Sequence, residues 1–265
     1  MSEYQLRFGG ITRLYGQTGA QIIQQAHFCV IGIGGVGSWV AEALARSGIG
    51  EITLIDLDDI CTTNINRQIH ALSNTVGESK VDVMAERIKL INPDCKVNCI
   101  EDFVTEENLF ELMSKGYDYV IDAIDSVKIK TGIIAHCKRN KLAIVTIGGA
   151  GGQTDPSQIQ LTDLSQTYQD PLLAKVKNQL RREHRFPRAD HPKKSKRKFS
   201  IDAVFSTEQL MYPDGDGEVC HAKQSPDGAM RLDCSGGFGA ATHVTASFAF
   251  FAVGKAIKKL IQKKS

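Results

Sequence analysis

The chain has 265 residues, 42% of them apolar and 23% charged, an ordinary balance for a soluble globular protein with a self-sufficient core. That length suits one large α/β domain or one domain with a sizeable appendage, and the opening MSEYQLRFGG lacks the apolar run behind a basic start that marks a secretory signal. Seven scattered cysteines with no Cys-x-x-Cys pair argue against a disulfide scaffold or a structural zinc knot and for a reducing, cytoplasmic setting; Cys95 and Cys99 read as two strand-proximal thiols.

In chain order, FCVIGIGG (28–35) reads as a strand entering a glycine turn, and SWVAEALARSGIG as a helix closed by Gly48. EITLID is a second strand, GESKVDVMAERIKLINP a helix ended by Pro93, and KVNCIED a third strand. TEENLFELMSKG has a Thr-x-x-Asn start and a Gly stop, so a capped helix is expected there. YDYVIDAID is a fourth strand, VKIKTGIIAHCKRN a helix and LAIVTIGG a fifth strand. Strand–helix alternation of this kind predicts an α/β fold with a doubly wound, mainly parallel sheet.

After Gly152 the pattern loosens. QIQLTDLSQT is a further candidate strand, and DPLLAKVKNQLRREHRF a helix capped by Asp170 with Pro171 at its first position. PRADHPKKSKRK reads as a Pro-broken loop, FSIDAVFST as a strand, 213–234 as loop, and FGAATHVTASFAFFAVGKAIKKLIQKK as a long helix with a lysine-rich end. The expected organisation is a nucleotide-binding core over 1–152 and a C-terminal extension over 153–265, continuous with it.

The net charge of +2 hides an asymmetry. Residues 175–200 hold eleven Lys or Arg against Glu183 and Asp190, leaving 21 basic and 28 acidic residues elsewhere. Such a concentration fits contact with an RNA backbone better than a merely solvated loop. It would supply affinity, not sequence choice.

The chemistry is carried by a small set. Gly32, Gly34, Gly35 and Gly37 form Gly-x-Gly-Gly-x-Gly between a strand and a helix, which allows a tight turn and close approach of a phosphate to a helix N-terminus. Asp56 lies 24 residues past Gly32, near the spacing of a ribose-binding acid. A generic dinucleotide site stops there. This chain continues with Asn64, Asn66 and Arg67 in one loop, Lys80 at the next helix start, and Asp125 at the end of the fourth strand. Polyphosphate-binding cations and an acid suited to Mg2+ describe ATP rather than a nicotinamide.

GIGGVG, LIDLDDI, TNINRQ, VGESK and DAIDS together resemble the adenylation domain of the ubiquitin-activating, ThiF/MoeB-like enzymes over roughly residues 7–150. The resemblance implies that ATP and Mg2+ bind here and that AMP is joined to a carboxylate with release of pyrophosphate. By motif position it places the glycines at the phosphates, Asp56 at the ribose, and Asn64, Arg67 and Lys80 at the triphosphate. Asp125 holds the metal, and Asp58 and Ser126 belong to the same nucleotide site. Arg67, Lys80 and Asp125 would carry the chemistry.

GGAGGQTDP, TDLSQT, QDPLLAK, VFSTE and CSGGFGAATHVTA extend the likeness to the branch of tRNA threonylcarbamoyladenosine dehydratases, over essentially the full length. That branch implies a tRNA substrate modified beside the anticodon, a homodimer, and a link to a cysteine desulfurase or sulfur-acceptor partner. Two departures stand out. Gly10 occupies the place of an arginine donated across the dimer, leaving Arg7 or Arg13 to substitute, and the family's zinc cysteines are missing.

Several readings stay open. Cys234, before a glycine turn and the long helix, is either a reactive thiol or a small buried residue. From Cys234 to Gly254 there are 21 residues without Asp, Glu, Lys or Arg, long enough to span a bilayer but diluted by Gly, Ser, Thr and His243. Packing on the sheet or at a dimer seam is the favoured reading, with membrane association the alternative. For function, an activator of a sulfur-carrier protein and a nicotinamide-binding Rossmann protein remain beside the tRNA-directed adenylating enzyme. The first would be expected to carry zinc cysteines, and the second leaves Arg67, Lys80 and Asp125 unexplained.

Overall fold

The computed structural model describes residues 2–188, 197–214, 217–221 and 238–265. Seven strands form one sheet: β1 (His27–Ile31), β2 (Glu51–Ile55), β3 (Lys96–Ile100), β4 (Tyr119–Asp122), β5 (Ala143–Ile147), β6 (Ile159–Asp163) and β7 (Asp202–Ser206), in the order β3-β2-β1-β4-β5-β7-β6. All neighbours pair parallel except β6, which runs antiparallel along the β7 edge. The chain winds outward from β1 through β2 to β3, then returns to build β4 and β5 on the other side. A crevice therefore opens beyond the carboxyl ends of β1 and β4, where open α/β sheets bind ligands.

Helices cover both faces, which is why β1, β2, β4 and β5 read as continuous apolar runs. One face carries the end of α1 (Glu3–Gln24) with α2 (Gly37–Arg46), α3 (Lys80–Ile91) and α7 (Thr242–Lys264). The other carries α4 (Leu109–Met113), α5 (Val127–Arg139) and α6 (Pro171–Glu183). Val244, Phe248, Ala252, Ala256 and Leu260 of α7 are buried in the first core. Much of the apolar character of that helix goes into packing, with Phe250 and Phe251 left exposed, and no helix among the described residues is long and apolar enough to cross a membrane. Its lysine-rich end pairs with sheet acids, Lys264 with Asp118 at 2.6 Å and Lys259 with Asp202 at 2.5 Å.

No element was expected over residues 3–24, where Gly9, Gly10 and Gly16 dilute the apolar pattern, yet α1 forms there, kinked at Gly16, φ 73°. It forms because Ser2 and Gln5 make a reciprocal capping box at its start and Phe8, Ile22 and Ile23 bury its inner side. α4 is shorter than the pattern from 105 to 116 suggested. Thr105 and Asn108 satisfy each other's amides in a turn, with Thr105 N donating to Asn108 Oδ1 at 2.7 Å, and the helix starts only after them. A small hairpin, β8 (Tyr212–Pro213) with β9 (Val219–Cys220), stands outside the main sheet.

Candidate nucleotide site

The glycine turn links β1 to α2. Gly32 sits at φ 84°, and a Cβ on Gly37 would lie 1.7 Å from the Gly32 carbonyl oxygen, so the helix can begin this close to the strand end only without a side chain there. The first amides of α2 point along the crevice with the positive end of the helix dipole behind them. Asp56, at the end of β2, closes the turn from the other side. Its Oδ2 accepts the Ile33 amide at 2.6 Å and its Oδ1 the Asp58 amide at 2.9 Å.

The loop after β2 brings Arg67 over this turn. The Arg67 Cγ and Cδ lie 3.2 Å from the position a Gly35 Cβ would take, so that glycine leaves the room the arginine stem uses. The guanidinium donates to the Thr63 carbonyl at 2.8 Å and to Asn66 Oδ1 at 3.0 Å, and Trp39 of α2 holds the Arg67 carbonyl at 3.0 Å. Asn64 is buried and caps the local turn, its Oδ1 accepting the Cys61 amide at 3.0 Å. Asn66 reaches across to α7: its Nδ2 donates to the Ala240 carbonyl at 2.8 Å, and the Thr242 hydroxyl donates to its carbonyl.

Lys80 opens α3 with a largely buried side chain. Its ammonium pairs with Asp58 at 2.7 Å and stands 3.9 Å from Asp56. Asp56, Asp58 and Lys80 are therefore one cluster at the mouth of the crevice, in which Asp58, the exposed member, occupies the cation. Near Lys80 lies His70, 1% exposed, with neither ring nitrogen hydrogen-bonded among the described residues. Burial, reinforced by Lys80 and Arg87, pushes its pKa down to about 4.

Asp125 and Ser126 lie in the turn between β4 and α5, both exposed. The Asp125 carboxylate makes no hydrogen bond or ion pair among the described residues, and Ser126, at the α5 N-cap, makes no side-chain capping bond. Two adjacent uncommitted oxygen donors form a hard set of the kind Mg2+ accepts alongside phosphate oxygens and water. No group of three or more His, Cys, Asp or Glu able to hold a metal occurs among the described residues, so a dedicated all-protein cage is not the fit.

Beneath that turn is a feature the motif pattern did not reveal. Lys130 and Asp122 are both fully buried, paired at 3.0 Å. The signal was present in α5, where Lys130 takes a place on the apolar stripe it shares with Ile133, Ile134 and Cys137. Burial raises the Asp122 carboxyl pKa, opposed by Lys130 and by the Thr146 hydroxyl, which donates to it at 2.7 Å.

The remaining sequence candidates are dispersed. Arg7 is bound to Glu3 at 2.6 Å and to the Ile91 carbonyl at 3.2 Å, at the end of α3. Arg13 is exposed and makes no hydrogen bond or ion pair among the described residues. Cys234, and Lys193, Lys194 and Lys196 of the basic segment, lie outside the described residues, whereas Arg197 and Lys198 are exposed. Cys95 and Cys99 have thiol pKa values pushed up to about 11 by burial, which keeps them protonated and unreactive. A cleft of about 360 Å3 opens beyond the carboxyl ends of β5 and β7, with Gln169, Pro171, Glu208, Gln209, Tyr212 and His221 in its walls.

A family model for the ThiF family matches residues 9–265. The chain belongs to the ThiF family. Among curated ThiF-family relatives, the tRNA threonylcarbamoyladenosine dehydratase of Haemophilus influenzae is 59% identical over 265 residues, covering 100% of this chain and 97% of that protein. The Escherichia coli tRNA threonylcarbamoyladenosine dehydratase is 58% identical over 257 residues, covering 97% and 94%. The solved structure of the E. coli enzyme, TcdA, in complex with ATP superposes with a TM-score of 0.87 at 53% identity, covering 100% of this chain and 97% of that one. The doubly wound, mainly parallel fold expected from the sequence, seven-stranded in the structure, is therefore the Rossmann-like adenylation fold of this family.

Proposed function

We propose that the protein is an ATP-dependent dehydratase of N6-threonylcarbamoyladenosine in tRNA. The observation that carries this is the end-to-end relation, at 59% identity, to the H. influenzae enzyme of that name. The crevice supports it: Asp56 and Lys80 cluster beside the glycine turn, Arg67 packs on Gly35, and Asp125 follows β4 at the same end of the sheet.

The substrate carboxylate is already ionised, so its attack on the α-phosphorus of ATP needs no general base. A carboxylate oxygen forms the new P–O bond, the α–β bridge breaks, and pyrophosphate leaves. The modification then closes on itself: an internal nucleophile attacks the activated acyl carbon and AMP departs with the former carboxylate oxygen. The nucleoside has lost the elements of one water, and ATP has become AMP and pyrophosphate.

For this chain's residues the work is electrostatic. Arg67, from above the glycine turn, and Lys80, released from Asp58, balance charge on the phosphates, while α2 offers backbone amides. Mg2+, held by Asp125 with Ser126 beside it, would act as a Lewis acid on phosphate oxygens. Asp56 orients the ribose while keeping the glycine turn closed. The cleft by Tyr212 and His221 lies on the same edge of the sheet and presents aromatic faces and amides, which is where we place the unstacked nucleoside.

Two further parts of the proposal concern assembly. Arg13, being uncommitted, is a better candidate than Arg7 for an arginine donated across a homodimer. The basic segment 175–200 is where we place contact with the tRNA backbone. The test is pyrophosphate release from ATP, which should require Mg2+ and tRNA carrying the threonylcarbamoyl group. Release that is equally fast with unmodified tRNA, or NAD binding tighter than ATP binding, would contradict the assignment.

A further inference from the structure

Lys130 makes three contacts from a fully buried position. Its ammonium pairs with Asp122 at 3.0 Å, donates to the Ile124 carbonyl at 2.8 Å, and lies 3.4 Å from the Asp122 carbonyl. Asp122 in turn accepts the Ile124 amide at 3.3 Å and the Thr146 hydroxyl at 2.7 Å. Both backbone groups of Ile124 are thus held by one ion pair, and Ile124 is the residue immediately before Asp125. Ile124 also meets the glycine turn, its Cγ2 lying 2.9 Å from where a Gly32 Cβ would be.

A pair of this kind is a poor way to gain stability. The desolvation of two charges largely cancels their attraction, and an apolar pair of the same volume would serve the core as well or better. What an apolar pair could not do is donate to the Ile124 carbonyl. That carbonyl follows the end of β4, where the chain has left the ladder and a backbone oxygen needs a partner. The ammonium supplies it and so fixes the direction in which the next residue leaves the sheet.

We propose that Lys130, pinned by Asp122, is a positioning residue for the metal-bearing turn: it sets the backbone at Ile124 so that the Asp125 carboxylate is presented to the crevice. The proposal rests on the reading of Asp125 as the Mg2+ ligand. Lys130 does not touch the nucleotide. It acts by lowering the number of arrangements the turn can take, so its loss should weaken the cooperation between metal and nucleotide more than nucleotide binding itself.

The measurement is ATP affinity by calorimetry on the full-length chain, with excess Mg2+ and with EDTA, taken as a ratio so that changes in ATP affinity alone cancel. Asp125→Ala should bring the ratio close to one. Lys130→Met, well below its melting temperature, should lower it at least fivefold from the parental value. Should Lys130→Met fail to fold because Asp122 is left as an unpaired buried charge, the neutral pair Asp122→Asn with Lys130→Met removes that charge and still lacks the donor to Ile124. It should show the same fall. A parental ratio in either folded Lys130 variant, with the ratio lost in Asp125→Ala, overturns the positioning role and leaves the metal reading standing. A parental ratio in Asp125→Ala removes the metal reading and the proposal with it. If neither Lys130 variant shows a cooperative melting transition, the pair belongs to the core rather than to the turn, and the proposal fails.

Discussion

In the proposed site Arg67 and Asp125 serve the same phosphates by different physics, and their loss should look different. Arg67 is a fixed cation whose attraction for the triphosphate is present as soon as ATP binds, so Arg67→Ala should raise the KM for ATP together with a fall in kcat. Asp125, as the proposed Mg2+ ligand, would act only through the metal. Asp125→Ala should leave metal-free ATP affinity nearly unchanged and lower kcat by about a hundredfold or more, the scale on which preorganised charge stabilisation is removed. Steady-state kinetics of the two variants checks this; a pure KM effect in Asp125→Ala would place the metal elsewhere. His70 supplies a pH prediction. It titrates near 4 in the fold and near 6.5 in the unfolded chain. As pH falls the unfolded state takes the proton first. The stability His70 contributes is therefore complete above about pH 6.5 and lost progressively towards pH 4, by roughly 3 kcal/mol in total. Denaturant unfolding of His70→Phe should show a flatter pH dependence across that window than the parent. Equal slopes would show that the imidazole is not the titrating group.

At the level of elements, the strands and helices of the first half could be read from the sequence because each is locally consistent: apolar runs of five residues, a glycine turn, a helix stop. The proposed site was legible for the same reason. Gly32 to Gly37, Asp56, Lys80 and Asp125 sit at strand ends and helix starts, with Arg67 in the loop after β2, and the sequence motifs run through these positions. Lys130 was not legible, because its meaning depends on Asp122, which lies at the end of β4 across a loop from the first turn of α5. The ties from Asn66 to Ala240 and Thr242 were hidden too, being contacts over more than 170 residues. The α6 helix and the segment after it form the basic element. Neutralising Lys193, Lys194, Lys196, Arg197 and Lys198 should weaken tRNA binding and reduce the slope of log affinity against log salt by up to about one unit per lost phosphate contact, without altering ATP affinity. Filter binding over a salt series measures it. A parental slope would mean that the RNA docks on another surface.

For the whole molecule, the order of strands carries the organisation. β6 and β7 come from beyond Gly152 yet extend the sheet past β5, and α7 packs against α1 and α2. The C-terminal residues thereby touch the Arg67 loop through Asn66. Strand order was not readable in advance: β6 (IQLTD) alternates and β7 (DAVFS) is buried nearly throughout, but neither pattern says which strand it will pair with. In a homodimer that completes each crevice with a partner's arginine, Arg13→Ala should lower turnover roughly tenfold or more while sedimentation still reports the parental oligomer, and Arg7→Ala should not. Unchanged turnover in Arg13→Ala would remove the donated-arginine reading.

The central claim is that this crevice activates a carboxylate carried by tRNA so that it closes on itself. The direct measurement is mass analysis of nucleosides from tRNA bearing N6-threonylcarbamoyladenosine after incubation with the protein, ATP and Mg2+. The account predicts conversion of that nucleoside to a species lighter by one water, with one AMP formed per conversion, and a conversion rate about a hundredfold or more lower with Asp125→Ala. An unchanged nucleoside in the presence of folded protein and bound ATP, or water loss without AMP formation, would contradict it.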